Sequence, residues 1–92
     1  MPSVCRFKFP EELNGEVIET QLALAVIATE CAFGQARVRI SAAYCFSKEK
    51  SQVAIDVSTE VGEHIAQVFT GLMIRQIGEN GFTVDRVNEK ND

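Results

Sequence analysis

The feature of this sequence that most limits its fold is its hydropathy period, which switches from two to about 3.6 and back again, twice along the chain. Val4 to Phe9 alternates, with Cys5, Phe7 and Phe9 on one side and Arg6 and Lys8 on the other, the mark of a half-buried strand. Pro10 closes that strand by removing a backbone donor. Glu11 to Gly15 follows as an acidic turn with Asn14 as the expected N-cap. From Glu16 to Phe33 the spacing is helical. Val17, Ile18, Leu22, Leu24, Ala25, Val26, Ile27, Ala28 and Ala32 leave only a narrow acidic band of Glu16, Glu19 and Glu30. A helix apolar almost all round is normally covered on more than one side. In a chain of 92 residues a second copy is one source of that cover. Gly34 is the expected stop.

Alternation returns from Ala36 to Ser47, predicting a strand with Val38, Ile40, Ala42, Tyr44 and Phe46 inward and Arg37, Arg39, Ser41, Ala43 and Cys45 outward. Gln52 to Ser58 alternates in turn, so the polar stretch Lys48 to Ser51 reads as the loop of an antiparallel hairpin. Thr59 to Glu79 is the second predicted helix, capped by Ser58 or Thr59. Glu60 and Glu63 sit where the helix dipole favours acids. Val61, Ile65, Val68, Phe69, Leu72, Met73 and Ile77 form its apolar stripe. Asn80-Gly81 ends it. Phe82 to Val87 is the final strand, with Phe82 and Val84 inward, which gives one domain over 1–87 and a polar tail over 88–92.

The order β-α-β-β-α-β predicts an α+β fold of the ferredoxin-like type. Its four-stranded antiparallel sheet has the order 4-1-3-2, with both helices on one face. The other face is then open. Arg6, Lys8, Arg37 and Arg39 stand there against only Asp56 and Asp85, on a chain of net charge −4. These four are the candidate residues for docking an acidic protein partner or an anionic ligand. The overall acidity argues against a nucleic-acid partner. So does the parity of Phe7, Phe9, Tyr44 and Phe46, which puts rings on the helix side where they cannot stack bases. Gly71 in the second helix marks a place where another backbone can approach. Ile74 beside it is an apolar residue on a polar side, and with Ile27 the two are the candidate interface residues.

Catalytic chemistry finds little support. Cys5, Cys31 and Cys45 are an odd, scattered set without a CxxC pair, which fits a reducing, cytoplasmic setting. His64 is the single histidine and reads as a surface partner of Glu60 one turn earlier. No metal-ligand spacing is present and no cofactor is implied. The start of the chain lacks the pattern of a signal peptide. The apolar run from Leu22 to Phe33 is too short to span a bilayer. The loop before the first helix carries Glu11 and Glu12, which repel a phosphate. Small acyl-phosphate hydrolases of the same element order place a basic, glycine-rich loop there. The expectation is a non-enzymatic interaction or regulatory module that forms homo-oligomers. The alternative is an anion- or small-ligand-binding domain, or a minor enzyme, using the basic sheet face.

Overall fold

The computed structural model describes residues 3–88. The polar-tail residues 89–92 lie outside them, while Asn88 closes the last strand. The elements run β1 (Ser3–Lys8), α1 (Gly15–Phe33), α2 (Gln35–Ser41), β2 (Tyr44–Ser47), β3 (Gln52–Asp56), α3 (Glu60–Ile77), a 3₁₀ turn (Glu79–Gly81) and β4 (Thr83–Asn88). The four strands form one antiparallel sheet in the order β2-β3-β1-β4, the expected order read from the other edge.

The alternating strands do what their pattern requires. Phe7, Val53 and Ile55 share one face of the sheet and are fully buried there beneath α1 and α3. α1 contributes Ile18, Leu22 and Ala25 to this core, and α3 contributes Val61, Ile65, Phe69 and Met73. Phe69 is the centre of an aromatic group, edge-on to Phe7 at 5.0 Å and to Phe9 at 6.0 Å. Phe82 stacks on the same two rings from the start of β4. The N-caps fall where the sequence put them and Gly34 ends α1, but α3 stops at Gly78, φ +83°, rather than at Asn80-Gly81, which lie in a separate 3₁₀ turn. Asn14 accepts from the Glu16 amide at 2.9 Å, and Thr59 accepts from the Gly62 amide at 3.1 Å.

One element departs from expectation. Gln35 to Ser41 is a short helix, so the predicted Ala36–Ser47 strand shrinks to Tyr44–Ser47. Gly34 at φ +91° turns the chain sharply, and α2 leaves α1 at 119°. A strand from Ala36 would also have run far past β3, whose ladder with β2 ends at the Tyr44–Ile55 pair, leaving its backbone groups without partners. Only Val38 of the alternating apolar residues in this stretch reaches the core, whereas Ile40 is 86% exposed. About two turns of helix satisfy a single buried residue as well as a strand does. Val84 is a smaller departure: it lies on the helix-facing side of β4, opposite Phe7, yet is 42% exposed because β4 is an edge strand.

Candidate interaction surface

The α2 helix dismantles the predicted basic face. Arg6 and Lys8 do stand exposed on the open side of β1, in the cross-sheet rows Cys45–Ala54–Arg6–Asp85 and Ser47–Gln52–Lys8–Thr83. Arg37 and Arg39 do not join them. Arg37 lies on α2, with its guanidinium 4.8 Å from the centre of the Phe33 ring and 3.8 Å from the Glu60 carboxylate. Arg39 lines a different cavity. What accompanies Arg6 is Lys50 of the hairpin loop, across a shallow depression of about 310 Å³ that also meets Ser47 and Gln52. Sequence reasoning passed over Lys50 as a turn residue; its place at the end of the β2-β3 hairpin is the signal that it belongs with this face.

An open groove of about 690 Å³ lies between α1, α2 and the start of β2. Val26, Val38 and Ala42 give it apolar walls, while Glu30, Arg39 and Tyr44 bring a carboxylate, a guanidinium and a phenol to its rim. Beside it runs the solvent side of α1. Leu24 and Ile27 are 46% and 53% exposed there, and Cys31 is exposed in the same row. Ile40 and Tyr44 extend the apolar surface beyond the groove. The acidic band of Glu16, Glu19 and Glu30 flanks it on one side. The over-apolar first helix is therefore covered on its sheet-facing side and bare on the opposite side.

Gly71 is exposed on the outer side of α3 with Ile74 half-buried nearby, and a Cβ on Gly71 would meet no neighbour. Ile27 does not share a patch with them. Thr29, two residues beyond Ile27, faces His64, and Ile74 lies about 15 Å further along α3 at 1.5 Å per residue.

His64 has a role other than the expected surface pair with Glu60. Its Nδ1 lies 2.7 Å from the hydroxyl of Thr29, which is fully buried and donates to the Ala25 carbonyl at 2.8 Å. The hydroxyl has one proton, committed to Ala25, so the Nδ1–H of His64 is the donor to Thr29. The imidazole also meets Phe33 edge-on at 5.4 Å. A threonine closed to solvent cannot reach a substrate, so this pair ties α1 to α3 and is not a nucleophile with its base. Cys5 lines a second groove, of about 360 Å³, at the β4 edge, where Glu63 and Arg86 approach to 3.6 Å. Burial pushes its thiol pKa up, against a smaller opposing effect of Arg86, the wrong direction for an activated thiolate. Among the described residues no group of His, Cys, Asp and Glu is arranged to hold a metal ion, and no single helix is long and apolar enough to cross a membrane.

No protein-family model matches the chain, and no curated protein is significantly similar to it in sequence.

Proposed function

We propose that this chain is a non-enzymatic protein-interaction module, of ferredoxin-like architecture, that self-associates in the cytoplasm. The observation that carries the reading is the bare side of α1, where Leu24 and Ile27 stand about half exposed beside an open groove of mixed polar and apolar lining. Contiguous exposed apolar surface rimmed by polar groups is characteristic of a contact site. Glu30 and Arg39 on the groove rim supply opposite charges that fix a partner's orientation more than they add affinity. The exposed free thiols Cys31 and Cys45 are in keeping with a reducing compartment. Native mass spectrometry at micromolar concentration tests the reading. Species of twice the chain mass or more support it, and a monomer that neither self-associates nor gains a protein partner overturns it.

A second reading rests on the depression holding Arg6 and Lys50, with the hydroxyl of Ser47 and the amide of Gln52 beside them. Two cations with neutral hydrogen-bonding groups suit a small anion such as phosphate or a carboxylate. Thermal stabilisation by millimolar phosphate that disappears in Arg6→Gln and Lys50→Gln supports this reading. No shift with phosphate or carboxylates removes it.

A further inference from the structure

The bare side of α1 has a spacing that specifies its occupant. Val17, Thr20, Leu24, Ile27 and Cys31 follow one another at intervals of three and four residues, the a and d positions of successive heptads. Val17 is half-buried, while Thr20, Leu24, Ile27 and Cys31 are exposed, so the seam points away from the core that Ile18, Leu22, Ala25 and Thr29 enter. A heptad seam is complementary to another helix. We infer that α1 pairs with α1 of a second copy of this chain, antiparallel, across a two-fold axis between Leu24 and Ile27. The inference rests on the self-associating reading above and names its interface.

Charge selects the direction. The turn before α1 and the first half of the helix carry Glu11, Glu12, Glu16 and Glu19, whereas its last turn carries Glu30 alone and is followed at once by α2 with Arg37 and Arg39. Parallel pairing sets the two acidic N-terminal ends side by side. Antiparallel pairing brings each acidic end toward the partner's α2, where Arg39 is exposed while Arg37 is held by its own Glu60, and also opposes the helix dipoles. The same acidic flank disfavours an anionic membrane surface as occupant, since it would repel the headgroups. In the antiparallel register Leu24 packs beside the partner's Ile27 and Thr20 beside the partner's Cys31. The two Cys31 residues then lie about 16 Å apart along the axis.

The test uses a short bismaleimide on the full chain, with linked peptides mapped by mass spectrometry, together with light scattering of the variants. Expected are a wild-type dimer without a Cys31-to-Cys31 link, and an intermolecular link from position 20 to Cys31 in Thr20→Cys. Ile27→Glu, an exposed position that leaves the helical circular dichroism unchanged, raises the dimer dissociation constant roughly a hundredfold. A Cys31-to-Cys31 link overturns the antiparallel direction. A dimer unaffected by Ile27→Glu overturns this interface while leaving the self-associating reading intact. A wild-type monomer at millimolar concentration overturns both.

Discussion

Gly62 is the glycine with the least room for a side chain. It lies buried in the first turn of α3, where a Cβ would overlap the carbonyl oxygen of Asp56, a backbone atom that cannot swing aside. Gly62→Ala is therefore expected to cost more than about 3 kcal/mol, the overpacking range and beyond, read as a lowered urea midpoint. The preference of alanine for helix would otherwise favour the substitution by about 1 kcal/mol, so the sign of the result decides which effect wins. The three cysteines separate in the same way, by surroundings. Cys31 and Cys45 are exposed, whereas Cys5 is partly buried with its thiol pKa raised by desolvation. Timed alkylation at neutral pH is expected to label Cys31 and Cys45 first, with Cys5 at least about tenfold slower. Cys5 labelling as fast as Cys45 would contradict the burial. The alternation of β1 already set Cys5 on its inward side, whereas the need for Gly62 was not legible. A glycine three residues after a helix cap looks like weak helix former, and its necessity exists only once β3 delivers the Asp56 carbonyl to it.

At the scale of elements, two connections hold the layout. The first is the tie between α1 and α3 through Thr29 and His64. Thr29→Val keeps the shape and removes the acceptor of the His64 proton, at an expected cost of about 1 kcal/mol. A double-mutant cycle with His64→Ala measures the coupling, and additive effects would show that the two do not interact. The second is the turn from β3 into α3, where the Asp56 carboxylate accepts hydrogen bonds from the hydroxyl and the amide of Ser58. The Ser58 hydroxyl, and then its amide, hold the Asp56 pKa below its ordinary value. A depressed carboxylate contributes stability above its unfolded pKa of about 4 and loses that contribution as pH falls through its lower folded value. Thermal melts from pH 6 to pH 2 are thus expected to fall less steeply for Asp56→Asn than for the parent chain. Parallel curves would remove this contribution. The hairpin, the N-caps and the body of α3 were readable from local pattern, whereas the end of α3 at Gly78 was not. The α2 helix was not, because Arg37-Val38-Arg39-Ile40 satisfies a two-residue period and a single helical turn alike. The choice depends on how much ladder β3 offers.

For the molecule as a whole, the aromatic group around Phe69 joins β1, α3 and the start of β4 in one core. Phe69→Ala is expected to lower stability by about 3–5 kcal/mol, a large part of the total for a domain this small. A loss under about 1 kcal/mol in denaturant titration would mean that the core does not depend on this ring. The sequence by itself determined the order of strands and long helices, the antiparallel sheet and most of the core, though not the exposure of Ile40, Tyr44 and Val84, because hydropathy period and cap chemistry act over a few neighbouring residues. It also pointed to α1 as too apolar for one chain to cover. Tertiary structure alone decided where the charges meet. It took Arg37 and Arg39 off the sheet, set Lys50 beside Arg6, closed Thr29 over His64 and left Leu24 and Ile27 facing solvent. Those outcomes depend on the length of β3 and the 119° turn at Gly34, which no local window contains.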